Sequence, residues 1–331
     1  MKGENRKLKL LPVYLLVIID VLALGVALCV FALFHHVIPV AYSPAPVYTK
    51  PAAGQAEYEG EEPALHDEKG ADFNFPGIFA EGDEPEITEN LYRSKNVYVK
   101  LTKVQRNGVT YFVQDIYLRN LSYLRTAFVQ DTYGKAITEH PLDIAVRNDA
   151  VAAINGDYYG THTRRGVVIR NGIIYRADEA YGDVCFLGYD GVMWGVTEDE
   201  FNRNPEAYID NVYQGWCFGP ILVEDGVAKS GFDKNKEYDD IAGRNPRTAI
   251  GYFEPGHYCF IAVDGRREGY SVGLTLDELA QLCQELGCKF AFNLDGGKST
   301  VMVWRGRLAN RPDGGGREQS DIVYIADGGL N

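Results

Sequence analysis

An acidic residue on two consecutive glycines is the feature of this chain that most strongly suggests chemistry. Asp295 follows the apolar residues 290–292 and stands directly before two glycines. Because glycine lets the backbone adopt positive φ and approach a ligand closely, the carboxylate is expected to be exposed and aimed rather than part of a core. The sequence therefore predicts a catalytic or polar-ligand site at Asp295, with five candidate ligand-binding neighbours: Asn293, Gly296, Gly297, Ser299 and Thr300.

Two other acids, Asp157 and Asp264, also stand at the end of an apolar run and beside a glycine. Both are candidate catalytic carboxylates. For Asp157 the alternative is an ordinary Asx turn, and for Asp264 it is a turn acid paired with Arg266 or Arg267. The candidate binding residues next to these acids are Asn155, Gly156 and Arg266.

Arg247 and Thr248 stand between a proline turn and the apolar residues 249–253. A guanidinium is a planar fork that holds a phosphate or a carboxylate through two parallel hydrogen bonds. We therefore expect Arg247 to act on an anionic group, with Thr248 as a hydrogen-bond donor. A salt bridge from Arg247 to one of the three aspartates is the alternative.

Other chemistries fit these residues less well. Gly297-Lys298-Ser299 resembles the end of a Walker A loop, but Phe292 stands where that motif needs a glycine. The acids do not have EF-hand spacing, so the sequence requires no cofactor, although a divalent cation (Ca²⁺ or Mg²⁺) bridging a phosphate and the aspartates stays open. His162 is a further acid or base candidate, with a solvated loop histidine as the alternative.

These residues need a scaffold of strands, and the chain is rich in hairpin signals. Asn-Gly or Asp-Gly pairs lie between apolar or aromatic runs at 107–108, 171–172, 190–191 and 225–226, and Arg305-Gly306 is expected to form another such turn. Each pair favours a tight turn between antiparallel strands.

Helices are fewer. Residues 276–286 carry apolar side chains at helical spacing, Thr275 and Glu278 form a capping box, and Gly287 follows the last turn. This helix leads into the apolar residues 289–294, which deliver Asp295, and 142–150 is a second helix candidate. We predict a single α+β domain dominated by antiparallel or mixed β-sheet, with few helices, preceded by one transmembrane helix.

The N-terminus predicts a membrane anchor. A basic tail, residues 1–9, precedes an apolar run over residues 10–34, which is nearer to the roughly 20 residues of a spanning helix than to a secretory signal. Asp20 would cost about 2.5–3.5 kcal/mol at the bilayer centre, which the surrounding Leu, Val and Ile can offset. Because basic residues mark the cytoplasmic side, we expect a single-pass cell-membrane protein with its C-terminal domain extracellular. A cleaved signal peptide is the alternative.

The next segment, residues 35–93, is acidic and proline-rich, which is typical of a linker, and the folded domain is expected at 94–331. An apolar island inside the linker either docks on the domain or stays loosely ordered; it consists of Phe73, Phe75, Ile78 and Phe79.

Composition excludes one class of partner. The 331 residues have 46% hydrophobic content, as in a folded protein, and a formal net charge of −13. Because phosphate backbones are held by clustered Lys and Arg, nucleic acid is not an expected partner. Five of the six cysteines lie outside the anchor and show no CxxC spacing, so buried free thiols are favoured over a zinc cluster.

Six segments, in order over roughly residues 96–326, resemble the blocks of the phosphodiester glycosidase family. They are NGDYYG (155–160), GPILV (219–223), NPRTAIG (245–251), VDGR (263–266), NLDGGKST (293–300) and 317–325, which contains Ser320-Asp321-Ile322. Each block alone is weak, but six in order are specific. Lys298 departs from the glycine, glutamine or small residue that is common at its position in the family.

Together with the membrane topology expected above, the resemblance implies an extracellular hydrolase that cleaves a sugar-1-phosphodiester, of the N-acetylhexosamine type, in cell-envelope or exopolysaccharide glycans. Such a reaction develops positive charge on the sugar and releases a phosphate, so it calls for carboxylates, an arginine and small polar donors. The resemblance assigns catalysis to four residues, Asp295, Asp264, Asp157 and Arg247, and it places Arg247 on the phosphate. The alternatives are a non-catalytic glycan-binding or polysaccharide-assembly protein on the same fold, and a phosphodiesterase that cuts the P–O bond.

Overall fold

The computed structural model describes residues 12–32, 39–41, 70–161, 165–234, 238 and 241–328. The chain divides into two units, Met1–Val40 and Ala41–Asn331. The first unit contains helix α1 (Val13–Ala32). At a rise of about 1.5 Å per residue the helix is about 30 Å long, the thickness of a bilayer's hydrocarbon core. Its residues Tyr14–Ala32 are apolar enough and long enough to cross a membrane.

The second unit is built mainly from short strands. In chain order, after β1 (Val40–Ala41), they are β2 (Glu86–Ile87), β3 (Leu91–Arg93), β4 (Val97–Arg106), β5 (Val109–Leu118), β6 (Leu124–Phe128), β7 (Gly134–Lys135), β8 (Ala152–Asn155), β9 (Val167–Arg170), β10 (Ile173–Ala177), β11 (Val184–Gly188), β12 (Met193–Val196), β13 (Val212–Cys217), β14 (Ile221–Glu224), β15 (Val227–Ala228), β16 (Arg247–Glu254), β17 (His257–Val263), β18 (Phe290–Leu294), β19 (Met302–Trp304), β20 (Arg307–Leu308) and β21 (Asp321–Ile325). Its helices are α2 (Pro141–Arg147), α3 (Glu198–Arg203) and α4 (Leu276–Glu285).

These strands form three larger sheets, each paired antiparallel throughout. Sheet I has nine strands in the order β15-β14-β18-β16-β17-β5-β4-β3-β2. Sheet II has the order β20-β19-β8-β21-β6, and sheet III the order β10-β9-β13-β11-β12. The fold class is the predicted one, an α+β domain dominated by antiparallel sheet.

One hydrophobic core joins the three sheets. Phe260 and Phe292 of sheet I, Ile154 of sheet II and Trp216 of sheet III belong to the same buried cluster. Helix α4 covers the other face of sheet I, where its apolar stripe packs on residues such as Ile261. Sheet I is therefore buried on both faces, which explains why its central strands read as nearly continuous apolar runs.

The predicted turns and the helix before Asp295 are confirmed, whereas the second helix candidate, 142–150, is observed as Pro141–Arg147, with Asn148 as its C-cap. All five dipeptide turns connect paired antiparallel strands, and in Asn107-Gly108 both residues have positive φ (52° and 73°). Helix α4 has the expected capping box, with the Thr275 side chain accepting from the Glu278 N–H while the Glu278 carboxylate accepts from the Thr275 N–H. The five cysteines outside α1 are buried free thiols.

The ordered chain extends further toward the N-terminus than the expected domain boundary at residue 94. Strands β2 and β3 form the edge of sheet I, and Phe79 of the apolar island is buried beneath the Arg119 guanidinium. The island therefore docks, because its aromatic side chains find apolar surface that a polar linker would leave exposed. Residues 1–11, 33–38 and 42–69, which hold the basic tail and most of the expected linker, lie outside the described residues.

Candidate active site

The candidate site lies at the end of sheet I where β16 begins and where β17 and β18 finish, next to sheets II and III. In the antiparallel register, Arg247 pairs with Val263, and Thr248 pairs with Leu294. The start of β16 and the ends of β17 and β18 therefore share one edge. Asp264 and Asp295 each follow directly after a strand, β17 and β18, as the sequence predicted, and the register places both of them at this end of sheet I.

Asn155, at the end of β8, connects sheet II to this edge. Its Nδ2 donates to the Asp295 carbonyl at 2.8 Å, and its Oδ1 accepts from Thr248 Oγ1 at 2.8 Å and from the Val301 N–H at 3.2 Å. Asn155 and Thr248 are fully buried. Their polar groups hold the sheets together beneath the site.

Asp295 pairs with an arginine that sequence reasoning did not single out. Arg317 Nη2 lies 3.0 Å from Asp295 Oδ2, and its Nε lies 3.1 Å from Ser299 Oγ. Gln319 Nε2 also donates to Ser299 Oγ, at 2.8 Å. The Asp295 side chain is 10% exposed and that of Arg317 is 44% exposed. The pair therefore combines a largely desolvated carboxylate with a cation that solvent can reach.

The electrostatics of Asp295 follow from this position. Burial raises the pKa of Asp295 above its usual value, and the hydrogen bond from Ser299 and the charge of Arg317 oppose that rise. Burial disfavours a charged carboxylate, whereas a nearby cation favours it. The arrangement suits a carboxylate whose basicity is higher than that of a solvated aspartate.

The two glycines after Asp295 allow close backbone packing. Gly297 has φ of +63°, and its N–H donates to the Pro246 carbonyl at 2.9 Å. A side chain on Gly296 would place its Cβ only 2.8 Å from that same carbonyl. The Arg266 guanidinium lies over Gly297 and pairs with Asp313 at 3.1 Å. The turn thus lies between a proline and an accessible arginine.

Asp157 lies in a buried ion cluster with two other residues. Arg170 Nη2 is 2.8 Å from Asp157 Oδ1, and its Nε is 2.9 Å from Asp321 Oδ2. Asp157 also accepts from the Cys217 N–H at 3.0 Å. Burial raises the pKa of Asp321 to about 7; Arg170 opposes this rise and the Asp157 carboxylate adds to it. The cluster joins sheet II to sheet III behind the Asp295 turn.

Asp264 is also buried within hydrogen bonds. Its carboxylate accepts from Tyr270 Oη at 2.7 Å, from Asn310 Nδ2 at 3.0 Å and from the Arg311 N–H at 3.0 Å. Burial raises its pKa, and these hydrogen bonds oppose the rise. The Asp264 carboxylate fixes the segment around residue 310.

Arg247, expected on an anion, donates instead to main-chain carbonyls. Its Nε donates to Leu274 O at 2.9 Å, and its Nη2 donates to Ile241 O at 2.6 Å and to Gly243 O at 2.5 Å. Burial lowers its pKa to about 10, and Arg266 adds to that effect. Arg247 is only 3% exposed, and its guanidinium holds the loop that precedes β16.

The remaining predicted residues lie close in sequence to Asp295. Asn293 Nδ2 donates to the Gly219 carbonyl at 2.7 Å. Asn293 Oδ1 and Thr300 Oγ1 are buried and have no hydrogen-bond partner within the described part of the chain. Lys298 is exposed. Among the described residues, no group of three His, Cys, Asp or Glu side chains is arranged to hold a metal ion, and His162 lies outside them.

Sequence reasoning missed residues whose partners are distant along the chain. Arg317 and Asp321 stood inside the last family-like block, and Tyr158 inside the first, so the block pattern was their only signal. Arg170 precedes the Asn171-Gly172 turn and gave no signal, because a buried arginine at the end of an apolar strand has no distinctive local pattern.

Three antiparallel sheets around one core, with an acid–arginine pair where they meet, define a β-rich α+β domain with a polar site at a sheet edge. The chain belongs to the phosphodiester glycosidase family, whose model matches residues 148–326, more than half of its length. The resemblance noted in the sequence is thereby confirmed.

Individual relatives are distant. The SPbeta prophage-derived uncharacterized protein YomE of Bacillus subtilis (strain 168) is 30% identical over 205 residues, which span 59% of this chain and 30% of that protein. The catalytic domain of zebrafish N-acetylglucosamine-1-phosphodiester alpha-N-acetylglucosaminidase, auto-inhibited by its pro-peptide, matches with a TM-score of 0.55 and 19% identity, over 70% of this chain and 83% of that chain. A hypothetical protein from Synechocystis matches with a TM-score of 0.47 and 15% identity, over 70% and 62%. The zebrafish match shows a shared fold.

Proposed function

We propose that the chain is an extracellular, membrane-anchored hydrolase that cleaves a sugar-1-phosphodiester of the N-acetylhexosamine type in a cell-envelope or exopolysaccharide glycan. The observation that carries this proposal is the Asp295–Arg317 pair, a desolvated carboxylate beside a solvent-reachable guanidinium within the family's fifth and sixth blocks. One group suits the anomeric carbon, and the other suits the phosphate.

In this mechanism Asp295 acts as nucleophile or base at the anomeric carbon, where positive charge develops. Arg317 and Arg266, both about half exposed, bind the departing phosphate through charge-assisted hydrogen bonds. Because a phosphate is already a good leaving group, these cations can replace much of the proton transfer that the alcohol leaving group of an ordinary glycoside would need. Asp157, Asp264 and Arg247, whose polar groups bond within the protein, hold the site in shape.

The proposal requires no cofactor. If a divalent cation, Ca²⁺ or Mg²⁺, takes part, the Asp295 carboxylate would hold it, and the ion would supply Lewis-acid assistance to the departure of the phosphate. Turnover after treatment with a chelator, compared with turnover after each ion is added back, decides whether one takes part.

The test is turnover of a synthetic diester of N-acetylglucosamine 1-phosphate in ¹⁸O-labelled water. Label in the released sugar supports cleavage of the sugar C–O bond, and label in the phosphate would show a phosphodiesterase instead. Asp295→Asn should lower kcat by about 10²–10⁴-fold, the usual contribution of a positioned acid or base. Asp225→Asn, in an exposed turn at φ of 51° that asparagine tolerates, is the matched control.

One observation favours a second candidate, a non-catalytic glycan-binding protein. A glycosidase normally uses two carboxyl groups, and Asp157 and Asp264 are both buried in bonds to the protein. A binder would hold the diester without releasing sugar, and Asp295→Asn would change its affinity but leave no turnover to lose.

The expected location is tested separately. With the basic tail in the cytoplasm, protease added outside intact cells should remove the domain, and disrupted cells should show no additional loss. Protection in intact cells would contradict the orientation.

A further inference from the structure

Tyr158 has an unusual backbone conformation beside the site. Its φ is +59°, in the left-handed region that bulky aromatic residues rarely adopt. Such a conformation costs free energy and persists only where the surroundings determine it. Glycine or asparagine would adopt it at a lower cost.

The residues on either side of Tyr158 impose this conformation. Asp157 is fixed by Arg170 and by the Cys217 N–H. Tyr159 is 1% exposed and stacks on Tyr133 with ring centroids 5.2 Å apart. The chain is therefore anchored in the interior at two successive alternate positions, and the residue between them turns outward.

The outward side chain meets the catalytic pair. The Arg317 guanidinium carbon lies 4.7 Å from the centroid of the Tyr158 ring, within the range of a cation–π interaction. Arg317 also bonds Asp295 at 3.0 Å and Ser299 at 3.1 Å. The ring thus lies against a guanidinium whose edge is already directed at the carboxylate.

We propose that Tyr158 is a positioning residue that holds Arg317 in the orientation required to bind the substrate phosphate, an inference that rests on the proposed function. Arg317 is long and about half exposed, and an arginine in that state samples several rotamers in water. The flat ring against the guanidinium and the two oxygen acceptors of its N–H groups restrict it to one orientation. The strained backbone is retained because it places the ring there.

The inference separates activity from stability. Tyr158→Gly and Tyr158→Asn relieve the backbone but remove the ring, so Tm should stay equal or rise while kcat/KM for the synthetic diester falls about tenfold, through KM and kcat together. Tyr158→Phe keeps the ring and should retain activity within about twofold of the unmodified chain. A residue with only a structural role would lose Tm together with activity.

A double-mutant cycle with Arg317→Gln, measured on the full-length chain in detergent, tests the route of the effect. If Tyr158 acts through Arg317, Tyr158→Asn should cost almost nothing once Arg317 is glutamine. Equal activity of Tyr158→Asn and the unmodified chain, or an undiminished loss on the Arg317→Gln background, would overturn the inference.

The failure of the proposed function looks different. In that case the unmodified chain itself releases no sugar, and the same cycle is then read from calorimetric binding of N-acetylglucosamine 1-phosphate. Coupling of the two substitutions in binding supports the positioning role, and independent effects or unchanged binding overturn it.

Discussion

Asp157, Arg170 and Asp321 place two carboxylates and one guanidinium out of contact with solvent. Burying this set with both acids ionised leaves a net negative charge, which a low-dielectric interior disfavours. A proton on Asp321 resolves the imbalance, which is why its pKa is raised to about 7. Asp321 Oδ1 has no hydrogen-bond partner within the described residues, so the ionised form of this carboxyl lacks a donor that would stabilise it.

This shift predicts a pH dependence of stability. Between the unfolded pKa of 3.8 and the folded value of about 7, the folded state holds a proton on Asp321 that the unfolded state has released. The raised pKa therefore contributes stability that is fully present below about pH 4 and is lost as pH rises toward 7. The Tm of the unmodified chain minus the Tm of Asp321→Asn should therefore fall steadily as pH rises across this window.

The control for this measurement is Asp225→Asn, whose Tm difference from the unmodified chain should stay flat from pH 4 to 7, the window set by Asp321. If the Asp321→Asn difference is equally flat, the carboxyl does not change its protonation there. If that Tm difference rises with pH instead, the folded state favours the ionised form of the Asp321 carboxyl.

At this scale the sequence predicted the strand end and the glycine turn that hold Asp295, but the exposed carboxylate it also predicted is wrong, because Asp295 is buried (7% exposed). It did not predict the partner of Asp295. A strand followed by two glycines is a local signal, and local signals can be read from one segment. Arg317 lies 22 residues further on and meets Asp295 only after the β19–β20 hairpin between them has folded. Arg247 was expected on an anion because sequence cannot show that carbonyls of residues 241, 243 and 274 will surround it.

Gly251, in the middle of β16, shows how an element can depend on a missing side chain. A Cβ on this residue would lie 2.7 Å from the sulfur of Cys259 and 2.7 Å from that of Cys288. The two sulfurs are 3.8 Å apart and fill the space above the glycine. A side chain at position 251 would therefore have to displace these thiols from the space between β16 and α4.

Gly251→Ala should lower the free energy of unfolding by about 1–3 kcal/mol, the usual cost of overpacking a filled interior. Because β16 and β18 carry the site at their far ends, kcat/KM should also fall. Chemical denaturation measures the first effect and the diester assay the second. Gly82→Ala, where a Cβ meets nothing within 4 Å, is the matched control and should change neither. Unchanged stability in Gly251→Ala would show that the thiols rearrange freely.

Elements with strong local signals could be predicted, and weaker ones could not. The five hairpin turns and helix α4 carry their own turn and capping residues. Helix α3 has a capping box as well, from Thr197 to Glu200, yet it is only six residues long and lacks a periodic apolar stripe. Strands β2 and β3 were missed because their residues are polar or half exposed, and pairing at a sheet edge supplies what their sequence does not.

The whole domain depends on contacts that connect the sheets. Asn155 ties sheet II to sheet I, and Arg170 ties sheet III to sheet II, so the site's residues are held by groups from all three. The sequence predicted an antiparallel domain but not this arrangement, because pairing partners such as β8 and β21 are separated by well over a hundred residues. Their order follows from the shared core rather than from any one segment.

The segment that precedes β4 is part of this whole. The Phe73 ring packs against Gly191 and Gly256, where any side chain would collide with it. The Tyr92 hydroxyl donates to Asp327 at 2.7 Å, and Trp304 Nε1 donates to the carbonyl of residue 89 at 2.8 Å. Residues 70–93 therefore contact the β11–β12 turn of sheet III, the β16–β17 turn of sheet I, strand β19 of sheet II and the C-terminal segment.

Two truncations test this dependence. A chain that begins at Gly70 keeps every contact just named. It should unfold at the same temperature as a chain that lacks only helix α1 and the residues before it. A chain that begins at Ser94 loses β2, β3 and the buried Phe79, which removes several kcal/mol and exposes the edge of β4 to pairing with other chains. It should show a lower Tm and aggregate on heating. In the longer chain, Phe79→Ala should reproduce part of that loss, about 3–5 kcal/mol, without the new edge. Equal Tm values for the two truncations would mean that residues 70–93 do not stabilise the domain.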